Sequence, residues 1–201
     1  MSEWYQWDMN KTHLEYLASS EWAERLQTDL LPWLESTIEL GDDVLEIGPG
    51  PGLTTDLLRH RVASVTAVEI DADLAADLVV RLTGTNVEVI RGDGTELALP
   101  DDRFSAATCF AMLHHVPSAA AQDRLFGELH RVLRPGGAFV ATDSLDTERI
   151  RQAHLDDTYV PLDPDTLESR LRSAGFTDIT LAQSGEYRER GDQIRVTALK
   201  P

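Results

Sequence analysis

Short apolar runs and helical patterns alternate along most of this chain. Runs typical of strands lie at residues 44–47, 64–68, 86–90, 106–110, 138–142, 176–181 and 194–199. Between most of these runs, apolar residues recur every three or four positions, as they do on the buried face of a helix. The alternation predicts an α/β fold with a largely parallel sheet. A short charged segment separates the last two runs, which indicates an antiparallel pair.

The first part of the chain carries helical patterns of its own. One short helix is predicted within Asn10–Ser19. Ser20 is predicted to cap a second helix, whose apolar residues continue at a helical period past Pro32. A proline inside a helix removes a backbone donor, so we expect a kink or a break at Pro32.

Aromatic residues, among them Trp4 and Tyr5, precede these helices. They either cover a ligand or anchor the arm to the core, and the sequence leaves both open. We therefore divide the chain into an N-terminal helical arm or lid, 1–40, and a main domain, 41–201. The irregular stretch 144–160 is predicted to be a second part of the cover, since loops of that length are often functional lids.

The segment Val44–Gly52 reads as a buried strand that runs into a glycine turn and then a helix. Glycines stand at Gly48, Gly50 and Gly52, where a tight turn brings a ligand close to bare backbone. The helix that follows offers unpaired N–H groups to polar or anionic atoms. A dinucleotide fingerprint needs a sixth-position glycine, and Leu53 stands there instead.

Two acidic turns follow the next two predicted strands. Glu69 lies 21 residues after Gly48, where a carboxylate can accept hydrogen bonds from both ribose hydroxyls of an adenosine. Asp93 and Gly94 end the third predicted strand. The three turns therefore predict a nucleoside site at the carboxyl ends of the strands.

Four motifs together resemble the class I S-adenosylmethionine-dependent methyltransferases. They lie at 44–52, 65–71, 92–94 and 131–143, and the last of these, RVLRPGGAFVATD, is the most recognisable. The resemblance covers roughly residues 41–200. It implies a single-domain Rossmann-like α/β fold: a seven-stranded sheet of order 3-2-1-4-5-7-6, with strand seven antiparallel and helices on both faces.

The resemblance also implies how S-adenosylmethionine is held as cofactor. Glu46 and the backbone of the turn Gly48-Pro49-Gly50 would hold its methionine portion. The backbone of Phe110 and Ala111, at the end of the fourth predicted strand, would meet the methionine amino group.

The adenosine portion has its own implied residues. Glu69 would take the ribose hydroxyls, and Ile70 would lie against the adenine. Asp93 would take the exocyclic amine of adenine, and the backbone N–H of Gly94 would meet the ring.

Charge and cysteine content restrict the classes of partner and the cellular location that we expect. The formal net charge is −17, from 35 acidic and 18 basic residues, and a field of that sign repels nucleic acid and acidic membrane surfaces. We therefore expect no nucleic-acid substrate, and the absence of a long apolar run predicts no membrane span. The single cysteine, Cys109, suits a cytoplasmic location. No metal is assigned, because the fourth predicted strand ends without an acid, but the need for a metal stays open, as does a homodimer.

A small-molecule acceptor is expected, because the chain is short and has no appended substrate domain. Its pocket would be built from Trp4, Tyr5, His13 and Tyr159. The catalytic candidates are His115 and His114, which follow the fourth predicted strand. Imidazole titrates near neutral pH and can accept a proton from the acceptor. We favour His115 as the one that faces the cofactor.

Two other interpretations remain at this stage. A nicotinamide-dependent oxidoreductase would share the glycine turn and Glu69, but the missing sixth glycine and the Asp93 turn count against it. A non-catalytic scaffold that binds the cofactor would share the whole fold. The atom that is methylated, whether oxygen, nitrogen or carbon, is not set by any motif.

Overall fold

The computed structural model describes residues 11–155, 157–183 and 193–201 of the chain. Trp4 and Tyr5, which we predicted for the substrate pocket, lie outside these ranges. Among the described helices, none combines the length and the apolar character that crossing a bilayer requires.

A single seven-stranded sheet forms the centre of the molecule, in the order β3-β2-β1-β4-β5-β7-β6. The strands are β1 Asp43–Ile47, β2 Ser64–Glu69, β3 Val87–Arg91, β4 Phe104–Phe110, β5 Leu133–Ser144, β6 Thr177–Gln183 and β7 Gln193–Leu199. The first five pair in parallel, and β7 pairs antiparallel with both β5 and β6. The predicted sheet, with its order and its antiparallel strand, is confirmed.

The register of β1 brings three strand ends together. Ile47 pairs with Val68 of β2 on one side and with Cys109 of β4 on the other. The chain then leaves β1 at Gly48, whose N–H donates to the carbonyl of Val68 at 2.9 Å. Because these strands are parallel, the segments that follow them emerge at one edge of the sheet.

Eight α-helices are described around the sheet. They are α1 Lys11–Leu17, α2 Ser20–Arg25, α3 Leu31–Thr37, α4 Leu53–Arg59, α5 Ala72–Leu82, α6 Ala119–Val132, α7 Glu148–Ala153 and α8 Pro164–Ser173. A π-helical segment, Leu26–Leu30, joins α2 to α3 directly ahead of Pro32. The predicted disturbance at Pro32 therefore takes the form of a widened turn, in which the Leu31 N–H reaches the carbonyl of Leu26.

Two hydrophobic clusters cover the two faces of the sheet. One contains the buried side chains of α6 and α8 and alternate strand residues such as Leu45 and Phe139. The other contains the buried leucines of the N-terminal helices, together with Leu57 and Leu58 of α4 and the opposite strand residues, such as Val44. Successive side chains along each central strand thus point to opposite faces, and both faces of the sheet are buried.

The structure corrects three local expectations. Ser19, and not Ser20, caps α2, since its hydroxyl accepts from the Trp22 N–H. Strand β5 begins at Leu133 and not at residue 138. Leu133 pairs with Phe104, and a register shift separates this pair from the pair of Ala106 with Ala138. Within 144–160, expected to be irregular, α7 forms behind Thr147, whose hydroxyl accepts from the Ile150 N–H.

Candidate active site

A cleft opens at the carboxyl ends of β1 to β4. The space between its walls, with the open mouth included, amounts to about 1120 Å³. Every residue implied for cofactor binding except Glu46 lines it, as does one of the two candidate histidines. These residues are Gly48, Pro49, Gly50, Glu69, Ile70, Asp93, Gly94, Phe110, Ala111 and His115. The fold therefore gathers the residues predicted from separate motifs into one cleft.

The glycine turn after β1 lines the cleft. Two of its glycines are needed for different structural reasons. At Gly52 the backbone has φ +84°, and a Cβ there would collide with Leu78 and Arg81 of α5. Gly52 therefore allows α4 and α5 to pack closely. At Gly50 the backbone has φ +54°, and a Cβ would meet no atom within 4 Å. Because Gly50 also lines the cleft, the absence of a side chain there leaves the turn backbone open to the cleft.

Glu69, at the end of β2, holds the glycine turn in place. Its carboxylate accepts from the Gly50 N–H at 3.0 Å and from the Asp71 N–H at 2.9 Å. Burial raises the pKa of Glu69, while the N–H groups of Asp71 and Gly50 oppose that rise. The carboxylate thus lies between the turn and the cleft, where it can also face a ligand.

Glu46 lies behind the turn, and this differs from the role implied for it. Its side chain is 1 % exposed and accepts from the hydroxyls of Thr54 and Thr55, the latter at 2.6 Å. Burial raises its pKa to about 7, although the two hydroxyls oppose the rise. Since Glu46 does not line the cleft, its geometry supports a role in fixing the start of α4 against β1. The threonines that complete this contact were not predicted.

The turn after β3 lies beside Glu69, since the Gly92 N–H donates to the Glu69 carbonyl at 2.9 Å. Asp93 accepts from the Thr95 N–H at 2.8 Å, which fixes the carboxylate at the rim of the cleft. A Cβ at Gly94 would lie 2.8 Å from a side-chain carbon of Ile47. A glycine is therefore needed for this backbone to approach β1.

The end of β4 shows local backbone strain next to the cleft. Ala111 has φ +53°, which is uncommon for a residue with a side chain. Its N–H donates to the carbonyl of Thr142 on β5 at 2.8 Å. Strain held by surrounding hydrogen bonds is often found at functional sites, and Ala111 turns the chain from the sheet into the cleft wall.

The two histidines after β4 occupy different places in that wall. His115 lines the cleft, and its Nδ1 lies 3.1 Å from the carbonyl of Thr158. A carbonyl can only accept, so the ring proton is assigned to Nδ1. His114 lies behind the wall at 1 % exposure, with its Nδ1 2.6 Å from the Asp143 carboxylate. Of the two candidates, only His115 therefore faces the cleft.

The remaining predicted pocket residues lie beside these histidines and outside the lining of the cleft. The ring of His13, on α1, has its centroid 5.1 Å from that of His115. Burial, followed by the neighbouring imidazoles, lowers the pKa of His13 to about 3. Tyr159 stacks on His154 at 4.8 Å between ring centroids, and its hydroxyl donates to Asp146 at 3.4 Å. His154 was not among the predicted site residues.

An apolar patch from the N-terminal helices closes one side of the cleft. Leu14 and Leu17 of α1 and Trp22 of α2 line it, and Leu17 and Trp22 belong to the cluster shared with the sheet. Of the arm residues that were predicted for the pocket, His13 is not among those that line this side of the cleft, and Trp4 and Tyr5 lie outside the described residues.

Comparison with known proteins supports the family resemblance. Residues 45–141 match the profile of the family described as "Methyltransferase domain", and this span includes the glycine turn, both acidic turns and the histidine pair. The match covers just under half of the chain, and it agrees with the resemblance to the class I S-adenosylmethionine-dependent methyltransferases.

Relatives of this methyltransferase with curated names share its central part. A ubiquinone biosynthesis O-methyltransferase of Azotobacter vinelandii is 34% identical over 110 residues, which are 52% of this chain and 46% of that protein. A protein of Methanopyrus kandleri named "Probable ribosomal RNA small subunit methyltransferase A" is 40% identical over 77 residues, which are 37% of this chain and 28% of that protein. The chain thus matches less than half the length of either of these two proteins.

Solved structures extend the likeness to the whole fold of this methyltransferase. An S-adenosylmethionine-dependent methyltransferase from Aquifex aeolicus superimposes with a TM-score of 0.74 over 96% of this chain and 100% of that one, at 20% identity. At that identity the likeness shows the fold, and the acceptor is not shared by inference.

The residues of this methyltransferase fit the cofactor of its family. The open space at Gly50 gives room for a ligand against the turn. The carboxylates of Glu69 and Asp93 face the same cleft from β2 and β3, where acceptors for hydroxyl and amine groups are needed. The open space against the turn and the two carboxylate acceptors therefore agree with the chemistry of S-adenosylmethionine.

Proposed function

We propose that this chain catalyses methyl transfer from S-adenosylmethionine to a small-molecule acceptor. The observation that carries the proposal is the single cleft built from the glycine turn, Glu69 and the Asp93–Gly94 turn in a chain that matches this family. When bound there, the cofactor supplies an activated methyl group. The chain has to hold it, align the acceptor and exclude water.

The cofactor residues divide this work by position. Glu69 accepts hydrogen bonds from the ribose hydroxyls while it keeps its bond to the Gly50 N–H. Asp93 and Gly94 take the polar edge of the adenine, and Ile70 packs against its face. The turn Gly48–Gly50 and the backbone at Ala111 enclose the methionine portion. Glu46 acts from behind the turn by fixing α4.

The proposed acceptor is a small molecule with an apolar body. Leu14, Leu17 and Trp22 provide an apolar side of the cleft, which favours an acceptor that buries carbon surface. The net charge of −17 opposes a polyanion such as RNA. We propose that the arm 1–40 acts as a cover over the domain 41–201, and that the protein works in the cytoplasm, either as a monomer or as a homodimer.

His115 is the proposed polar contact of the acceptor. Its Nε2 is buried and has no hydrogen-bond partner within the described parts of the chain, so it can accept a proton or a hydrogen bond. His114 is proposed as a positioning residue, since its ring lies behind His115 and is fixed by Asp143. Replacing His115 with alanine should lower the methyl-transfer rate about 100-fold or more with cofactor affinity intact.

The test combines binding and turnover on the intact chain. Calorimetry with S-adenosylhomocysteine measures the cofactor site. Incubation with S-adenosylmethionine and a panel of phenols, amines and carboxylic acids, followed by mass spectrometry, measures methyl transfer and the formation of the demethylated cofactor product. We expect both signals, with methylation confined to the panel.

Other outcomes separate the rival functions. Methylation of RNA, with no product from the panel, would overturn the small-molecule acceptor while leaving the methyltransferase. Binding of S-adenosylhomocysteine without any turnover would favour a scaffold. Tight binding of reduced nicotinamide cofactor with no binding of S-adenosylhomocysteine would overturn the assignment as a whole.

A further inference from the structure

A cluster of four histidines lies directly behind the cleft wall. His13 comes from α1, His114 and His115 follow β4, and His154 caps the end of α7. One ring nitrogen from each lies within 4.8 Å of the others, and all but His13 are buried. The chain has six histidines, so most of them converge at one point from three distant segments.

The hydrogen bonds of three of these rings fix which nitrogen carries the proton. Nδ1 of His114 faces the Asp143 carboxylate at 2.6 Å, Nδ1 of His115 faces the Thr158 carbonyl at 3.1 Å, and Nδ1 of His154 faces the Ile150 carbonyl at 2.7 Å. Carboxylates and carbonyls only accept, so each Nδ1 is the donor. In each neutral ring, Nε2 is then left with its lone pair.

Two of these unprotonated Nε2 atoms lie next to each other. Nε2 of His114 lies 3.0 Å from Nε2 of His154. Two acceptors at that distance repel each other unless a cation lies between them, and that cation is either a proton or a metal ion. In a tetrahedral zinc site with Zn–N bonds of about 2.0–2.1 Å, neighbouring nitrogens are about 3.3 Å apart. A small adjustment of either ring gives that separation.

Two further observations favour a metal ion over a shared proton. A proton joins only two nitrogens, whereas Nε2 of His115 is also buried without a hydrogen-bond partner among the residues described. The cluster also contains two buried carboxylates: Asp143 on His114, and Asp157, 3.6 Å from Nδ1 of His115. Their charges balance a divalent cation, and a carboxylate on the far nitrogen of a ligating histidine is the usual outer partner of a metal site.

We propose that His13, His114, His115 and His154 bind one divalent transition-metal ion of the kind that prefers imidazole, with zinc as the representative. The sequence assigned no metal, because the chain has a single cysteine and the fourth predicted strand ends without an acid. The ion would tie α1 and α7 to the end of β4, at the side of the cleft where the acceptor is proposed to lie. With the ion bound, Nε2 of His115 would be a ligand, so the direct contact with the acceptor proposed above would apply only to the metal-free chain.

The experiment measures metal binding directly. The full chain is purified without a polyhistidine tag, treated with a chelator and dialysed against Zn²⁺, and bound zinc is determined by mass spectrometry. Co²⁺ serves as a spectroscopic probe, since its visible bands report coordination number. We expect about one equivalent of zinc per chain and a Co²⁺ spectrum of a four- or five-coordinate nitrogen site.

Variants assign the binding to the cluster. His13→Gln is the first choice, because His13 lies on a peripheral helix and is only half-buried; His154→Gln is the second. Each should weaken zinc binding by about 100-fold or more, beyond what loss of an outer partner costs. His60→Gln is the matched control, since His60 is exposed at the end of α4, and it should bind zinc like the parent.

Several results would overturn the proposal. They are zinc uptake far below one equivalent, equal affinity in the parent and both cluster variants, or a Co²⁺ spectrum of the hydrated ion. The first would leave a shared proton between His114 and His154. Calorimetry with S-adenosylhomocysteine on the metal-free chain keeps this test separate from the proposed function. If the chain binds S-adenosylhomocysteine but no zinc, only the metal site is rejected. If it binds zinc but no S-adenosylhomocysteine, only the cofactor site is rejected.

Discussion

Replacing Glu69 with glutamine tests the cofactor site most directly, because this one carboxylate serves both the protein and the proposed ligand. It accepts from the N–H groups of Gly50 and Asp71, and it lines the cleft. Glutamine keeps the size of the side chain and one accepting oxygen but removes the charge. The change therefore weakens the acceptor and leaves one oxygen for two N–H donors, so the N–H of either Gly50 or Asp71 loses its acceptor.

The size of the effect follows from the hydrogen bonds involved. Hydrogen bonds to a charged acceptor contribute more than neutral ones, so the loss in binding should be about 1–3 kcal/mol. That corresponds to a Kd for S-adenosylhomocysteine that rises about 5- to 150-fold. The variant Glu69→Ala removes both bonds within the protein as well. It should also lower the free energy of unfolding, because the N–H groups of Gly50 and Asp71 lose their acceptor.

Calorimetry on the parent, Glu69→Gln and the control Glu88→Gln measures this directly. Glu88 lies on neighbouring β3 with a side chain that is 61% exposed, so its replacement should leave the Kd unchanged. Urea unfolding of each variant separates a loss of binding from a loss of folding. An unchanged Kd for folded Glu69→Gln would refute the assignment of Glu69 to the ribose.

Three further predictions follow from other parts of the molecule. Gly50→Val should abolish binding of S-adenosylhomocysteine, whereas Gly84→Val, at an equally open position with φ +79° after α5, should bind normally; similar calorimetric traces for both would contradict the role of the turn. The pKa of Glu46 rises from 4.5 to about 7 on folding, so the folded state holds an extra proton between these values; relative to Glu46→Gln, the parent should lose about 3 kcal/mol of stability from about pH 5 to pH 8, and a pH-independent difference in urea unfolding would argue against that shift. Amide hydrogen exchange in α1 and α7 should slow when cofactor and acceptor bind, and unaltered exchange in both helices would reject their role as a cover.

The cofactor side of the cleft was predictable because its residues follow strands at short, fixed distances. Glu69 ends a parallel strand, and Gly48 and Asp93 follow within two residues of the ends of two others. Parallel strands bring their carboxyl ends to one edge of the sheet. The sheet order came with the family resemblance. The contacts of Glu46 could not be predicted, because the side chain of a strand residue can point to either face of the sheet. Only the position of α4 shows that the hydroxyls of Thr54 and Thr55 donate to it.

The histidine cluster was not predictable as a unit. His13, His114 and His154 lie far apart in the chain, and no spacing rule relates a residue on an N-terminal helix to one after a later strand. Helix α7 was missed for a related reason. It has only six residues, four of them polar, so it shows no periodic apolar face, and its formation depends on the Thr147 cap and on Ile150 reaching the core.

The π-helical segment Leu26–Leu30 also determines which direction around the helix axis the side chains before it point. A residue added to or removed from a helix turns the preceding part by about 100° around the axis. The widened turn already holds such an extra residue, and with it Trp22 and Leu17 point into the cleft. Deleting one residue from this segment would restore a regular helix while swinging those side chains, and His13 beyond them, away from the site. This stretch is therefore where a change in length would alter which molecules the cleft accepts without disturbing the sheet.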